Sequence, residues 1–429
     1  MPPQLFGTAG ARPHTDAVTE HVKYLPDAAI PQGGAPAWDI ADAERWLKAC
    51  TPALFAPVAG GWVLAPLVLA AAVLLGWNAP EAALLGTTWR GYPEAVLLVT
   101  LPLWFRFLPA AVLVSAPVLG LFTVLSLHEL DASDSAGRAG VWLVAALSAW
   151  AFTGALLRLR SRRRQRELAL AAAGKARSPL PEKLPEGHRR RGRWLILAGD
   201  GLCLAAAALL LWGLVQDLRA HHTPDPYDAT GQQVFAMLLL IPGTPLLGRG
   251  ITARLAARRL HTGPQPVLRV GLRADALCHI WLYPDARTVT GRPLIAYRDR
   301  FEDTEDRVRV LVGGEEARLR SEHHDINQFG EPFEAILYGV PCEGAELVLE
   351  YAAYDSGSLI ASSVTAVPLL AVRRNSLGRW SPAGTSYTVQ EREKAAARRA
   401  DASSGGSGCG SSSSCSSCSS CGGGCGGGD

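Results

Sequence analysis

Charge is what long parts of this chain lack. The stretches 62–77, 95–127, 140–157 and 194–215 carry almost no ionisable side chains, over lengths comparable to the ~20 apolar residues that cross a bilayer. Such blocks exclude a chain that folds entirely in water. Lysine is nearly missing too, occurring only at positions 23, 48, 175, 183 and 394, so the positive charge is almost all arginine. There is no Walker-type phosphate loop, no G-x-S-x-G elbow, no H-E-x-x-H helix and no dinucleotide fingerprint. The common motif-bearing enzyme classes are thereby set aside, and no catalytic or cofactor-binding residue is nominated. No internal repeat of the transporter kind is evident among the apolar blocks. Residues 1–52 are polar and lack a basic start followed by an apolar run, so the first apolar block is expected to act as an uncleaved anchor.

The charge that is present sits at the ends of the apolar blocks. Residues 158–193 hold thirteen Lys and Arg against Glu167, Glu182 and Glu186, which places this run on the cytoplasmic side of a plasma membrane by the positive-inside rule. A basic run also suits nucleic acid, but this one begins directly after an apolar block, so the lipid bilayer is the expected partner and nucleic acid is not. Trp62 and Trp77 bracket the first block, and Trp194 and Trp212 bracket a later one, as an interfacial belt requires. The stretch 95–127 is too long for one upright helix. Arg106, between Phe105 and Phe107 and just before Pro109, marks where it is expected to turn back as a tight hairpin; a re-entrant first arm or one kinked helix is the alternative.

The expected fold is a multi-domain one: an α-helical transmembrane bundle of about six spans, an all-β sandwich-like domain and a disordered tail. Its parts are a polar N-terminal segment (1–52), helices 1 to 4 (53–157), a basic cytoplasmic loop (158–193), helices 5 and 6 (194–248) and a basic linker (249–265). The β-domain (266–374), a polar linker (375–402) and the Ser, Gly and Cys tail (403–429) follow. Six spans put both termini in the cytoplasm; five is the alternative, because Pro242, Gly243 and Pro245 are expected to break the last span. Short alternating runs such as 307–312, 333–338 and 345–351, separated by turn residues, carry the β reading.

Two constellations stand out. Asp200 is the one carboxylate deep in an apolar block, about 9 Å beyond Trp194 along a helix. Pairing it with Arg106 would remove two burial costs at once. A structural ion pair is the expectation, a charge relay the competitor. In the tail, Cys415, Cys418, Cys421 and Cys425 have ferredoxin-like spacing, but Ser and Gly supply no apolar shell. Zinc or another thiophilic ion on these thiols together with Cys409 is the better metal reading, and a tail without a fixed ligand is the baseline. His221 and His222 with Asp225 and Asp228, and His323 and His324 with Asp325, form weaker groups read as solvated loops.

The Cys-Gly-Gly-Gly-Cys-Gly-Gly-Gly run at 421–428, with the arginine-dominated and Ala- and Leu-rich composition, resembles uncharacterised actinobacterial multi-pass membrane proteins with Gly- and Cys-rich C-terminal tails. That resemblance implies no activity or functional residue. The expectation is therefore a non-enzymatic anchor whose cytoplasmic β-domain binds a protein partner. The alternative is a transporter or channel accessory using Asp200 and the segment around Pro242.

Overall fold

The computed structural model describes residues 25, 30–76, 89, 91–129, 134–182, 184, 187–220, 227–274, 279–286, 293–298, 310–311, 332–355 and 358–368. The tail cysteines 409, 415, 418, 421 and 425 lie outside the described residues, as do His221, His222, Asp225, His323, His324, Asp325 and Cys278.

Seven helices carry the apolar sequence: α1 (Ile40–Lys48), α2 (Pro57–Gly76), α3 (Tyr92–Phe107), α4 (Pro109–Glu129), α5 (Ser135–Ala173), α6 (Arg193–Ala220) and α7 (Thr230–His261). Four are long and apolar enough to cross a membrane: α2, α5, α6 with the short turn before it, and α7. The α3 helix, with 16 residues, and the apolar part of α4, Pro109–Leu125, are shorter. All six helices from α2 to α7 occupy the expected places, including the turn at Leu108 between α3 and α4. Trp62 and Trp194 are 81% and 82% exposed.

Two sequence expectations are corrected. Residues 158–173, read as loop, continue α5, which runs for 39 residues, about 58 Å. Arginine, alanine and leucine are all good helix formers, so the basic charge does not interrupt it. The α7 helix likewise runs unbroken through Pro242 and Pro245 and on to His261. Close packing on α6 holds it in shape, and between the prolines Thr244 Oγ1 donates to Leu240 O (3.0 Å) and accepts from Trp104 Nε1 of α3 (2.8 Å).

Helices α2 to α5 share one core. Leu64, Leu101, Phe105, Leu119, Val144 and Ala151 are fully buried in it. Phe105 lies 5.0 Å from the Trp150 ring, and Trp150 lies 5.2 Å from Phe55. The α6–α7 pair is built differently. Gly192, Gly199, Ala206 and Gly213 recur every seven residues into and along α6, and Ala229, Ala236, Gly243, Gly250 and Ala257 do so into and along α7. A Cβ on Gly199 would lie 2.3 Å from Leu247 N and 2.8 Å from Gly243 O, and one on Gly250 would lie 2.7 Å from Ile196 N. These backbones touch because nothing larger than a methyl stands between them.

The strands are β1 (Arg177–Ser178), β2 (Gln265–Ala274), β3 (His279–Tyr283), β4 (Ile295–Arg298), β5 (Val310–Leu311), β6 (Pro332–Tyr338), β7 (Glu346–Asp355) and β8 (Ser358–Pro368). They form one antiparallel sheet, β4-β3-β2-β6-β7, with β8 and β5 also paired to β7 and β1 to the start of β2. This differs from the sandwich expected. The layer over the sheet's main apolar face is helical, not a second sheet among the described residues. Leu268, Val270, Leu272, Ile280, Leu282, Leu337 and Leu349 pack there against Trp38, Trp46, Ala169 and Ala173. The opposite face, with Val267, Ile336, Tyr338 and Val348, is covered by Leu25 and Leu260. The N-terminal segment thus belongs to the sheet's core. Its backbone joins β2 through Arg269 N to Pro36 O (2.8 Å) and Trp38 N to Arg269 O (3.3 Å).

Candidate functional site

The turn from β6 to β7 carries two carboxylates, Glu343 and Glu346, on either side of Gly344. Gly344 has φ +79°, and its open α-carbon faces the Arg162 guanidinium, whose atoms would meet a Cβ at 3.4 Å. Glycine suits both demands. The turn is pressed against the basic end of the bundle, and each carboxylate meets cations from a different part of it.

Glu343 meets α5. Its Oε1 is 2.8 Å from Arg158 Nη2 and 3.2 Å from Arg162 Nη2. Arg158 is 1% exposed, one of the largest fully buried side chains among the described residues. Its Nη1 donates to Phe105 O and its Nη2 to Arg106 O (3.3 Å). Those carbonyls belong to the last turn of α3, which the helix itself leaves without N–H partners. One guanidinium therefore ties α3, α5 and the sheet together. Gln165, one turn beyond Arg162, accepts from Glu343 N (3.1 Å) and donates to Cys50 Sγ (3.3 Å), while Trp46 Nε1 donates to Pro341 O (2.8 Å). Burial by itself pushes the Glu343 carboxyl up, but Arg158 and Arg162 outweigh it and hold its pKa below the ordinary carboxylate value. Burial raises the neighbouring Cys342 thiol, against the pull of Arg162, Arg166 and Arg259.

Glu346 meets the approach to α6, which in turn contacts the end of α7. Its Oε1 is 2.5 Å from Arg191 Nη1 and 3.4 Å from His188 Nε2, with both His188 and Glu346 side chains 2% exposed. His188 Nδ1 lies 3.1 Å from His261 Nε2, so one imidazole donates to the other. Arg191 also donates to Ala366 O on β8 (3.3 Å). Chemically, the arrangement neutralises two buried carboxylates with guanidinium groups and places a histidine pair at the joint. Among the described residues no group of three or more His, Cys, Asp or Glu side chains is placed to hold a metal.

The residues singled out from sequence are located elsewhere. Arg106 and Asp200 do not form an ion pair. The Arg106 guanidinium lies over the Phe107 ring (5.0 Å to its centroid), as does that of Arg249 from α7 (4.7 Å), and Asp200 is on the exposed face of α6. Direction around the helix decides this: the packed face of α6 is Gly199, Ala206 and Gly213, and Asp200 is about 100° away from Gly199. The sequence reading missed Arg158, Gln165, His188, His261, Glu343 and Glu346. The available signal was the pair of acids around a glycine between two alternating apolar runs, opposite a strongly basic chain. No protein-family model, curated protein or solved structure matches the chain.

Proposed function

We propose that the chain is a six-pass membrane protein that holds a non-catalytic, protein-binding sheet domain against the cytoplasmic end of its helical bundle. The observation carrying this reading is the clasp on the β6–β7 turn, where Arg158 and Arg162 bind Glu343 and Arg191 binds Glu346. It fixes the sheet to two separate parts of the bundle, as a module does when it is presented rigidly or passes a change in a partner to the membrane. The pass number draws support from connectivity. Helix α1 and the sheet share one core, so an even number of crossings lies between them, and α3 and α4 pack in the same core as α2 and α5. The arginine-rich end carries the sheet, which by the positive-inside rule is the cytoplasmic end. A partner would have the outer edges of β4 and β8, each paired on one side only among the described residues.

Affinity capture from detergent-solubilised membranes tests the function. The full chain is expected to retain a defined protein that Glu343→Gln and Glu346→Gln release together. Solute flux in proteoliposomes that disappears with Asp200→Asn, without such a partner, would replace this reading with a transporter. Sidedness has its own test: a membrane-impermeant maleimide is expected to label the tail thiols only after lysis.

A further inference from the structure

We propose that a groove at the basic end of α6 and α7 is a binding site for an anionic phospholipid. This rests on α6 and α7 crossing the membrane. The groove, about 310 Å³, is lined by Ile196 of α6 and by Ile251, Arg254, Leu255 and Arg258 of α7, a volume at the lower end of ordinary ligand sites. Its two chemistries divide only partly along the helix axis. Ile196 is level with Gly250, so Ile196 and Ile251 form an apolar wall on the membrane side, while Leu255, one residue past Arg254, lines the groove between the levels of the two arginines. Arg254 and Arg258 stand about 6 and 12 Å further toward the sheet, on one face because they are four residues apart.

Height fixes the occupant. Trp194, 82% exposed, is two residues before Ile196, so the arginines sit at and just outside the interfacial level that exposed tryptophans mark. A lipid phosphate lies at that level, with its acyl carbons beside the apolar wall below. Arg254 and Arg258 have no acidic partner among the described residues, unlike Arg158, Arg162 and Arg191, which are committed to the clasp. Two adjacent guanidinium groups bind phosphate through paired N–H donors, and basic pockets between membrane helices suit anionic headgroups. Asp200 on α6 lies one helical turn deeper than Ile196, below the headgroup plane. The small-residue seam opens the groove: with glycine at 192, 199 and 250, α6 and α7 touch by backbone, and the side chains flanking the seam border a furrow.

Thermal unfolding of the full chain in neutral detergent provides the test, with phosphatidylglycerol, phosphatidylcholine or inorganic phosphate added. Phosphatidylglycerol is expected to raise the midpoint, and the concentration needed is expected to rise at least tenfold in Arg254→Gln/Arg258→Gln. Arg254→Lys/Arg258→Lys should recover part of the effect. Should the glutamine variant not fold, Ile251→Trp fills the groove while leaving both arginines, and it is expected to weaken the lipid effect similarly. Equal stabilisation by phosphatidylcholine, equal stabilisation by inorganic phosphate, or an undiminished effect in the variants would each overturn the site. Carbonate extraction separates the two levels of argument. A chain that stays in the membrane yet ignores phosphatidylglycerol loses only the groove, whereas one released by carbonate loses the membrane reading as well.

Discussion

The four-helix group α2–α5 and the α6–α7 pair solve the same problem with opposite means. In the first, large side chains interdigitate: Phe105, Leu101, Leu64 and Leu119 are fully buried, and Gly154 makes room for the rings of Phe105 and Phe55, which a Cβ there would meet at 2.7 Å. In the second, seven-residue repeats of glycine and alanine bring the backbones into contact, and the apolar window of α6 is only 11% buried, against 44% for α5. Lipid is as apolar as leucine, so burying leucine between helices gains little inside a bilayer, and close van der Waals approach is the alternative route to association. The pair can therefore leave its large residues, Leu204, Leu211 and Trp212 among them, exposed on its outer surface. Each region then grips one carboxylate of the same turn.

The largest effect should come from breaking the grip of the four-helix group. Arg158→Met leaves Glu343 buried with one cation fewer and strips the α3 carbonyls of their donor. Losing one partner of a buried pair costs about 3–5 kcal/mol, to be read as a lowered unfolding midpoint in detergent. Replacing both, Arg158→Met with Glu343→Leu, should recover much of that, because the stranded charge goes too. If the double variant is no better than the single one, the role of Arg158 lies in capping α3 and not in the ion pair. Next is the seam of the other region. Gly199→Ala forces a Cβ to within 2.3 Å of Leu247 N and should destabilise by about 1–3 kcal/mol. Gly201→Ala, with nothing within 4 Å, should be neutral or gain up to about 1 kcal/mol in helix propensity. Equal responses at the two sites would mean that the seam does not hold the pair.

The same contrast explains what was legible in the sequence. Runs of apolar residues report that a helix exists, and the turn at Leu108 followed from Arg106 and Pro109, which cannot sit easily inside one span. The ends of α5 and α7 were hidden because charge was taken as a sign of loop, whereas Arg158, Gln165, Ala169 and Ala173 line the inner face of a continuing helix. The prolines of α7 were misread for a related reason: a local rule was overridden by packing on α6. Trp38 and Trp46 looked like polar-segment residues because α1 has only nine residues, too few for a convincing period. The two acids around Gly344 were a visible signal, but their pairing was not, since Arg158 and Glu343 lie 185 residues apart with α6, α7 and most of the sheet between them. The glycine and alanine heptads were legible and unread.

Acid should loosen the grip on Glu343 more gently. Its folded-state pKa is depressed, so its contribution is present in full above the unfolded value of about 4.3 and disappears as pH falls through the lower folded value. The unfolding midpoint should therefore be insensitive to this group from pH 7 to about 5 and fall below about 4. Glu343→Gln should remove that part of the acid sensitivity while lowering the midpoint at neutral pH. A wild-type and variant pair with parallel pH profiles would show that the acid response arises elsewhere.

The smallest expected effect is kinetic and reports on the joint without unfolding it. Cys342 sits between Pro341, whose carbonyl takes the Trp46 indole N–H, and Glu343, and burial raises its thiol pKa. Less thiolate and less access both slow reaction with a maleimide. In a chain whose other cysteines are replaced by serine, Cys342 should label slowly. Glu343→Gln should speed labelling several-fold, since it weakens the contact with Arg158 and Arg162 that closes the turn. Gly199→Ala acts on the α6–α7 pair, whose hold on the turn runs through Arg191 and Glu346, and should accelerate labelling less. If both variants expose the thiol equally, the two regions do not grip the turn separately, and the clasp opens as a single unit.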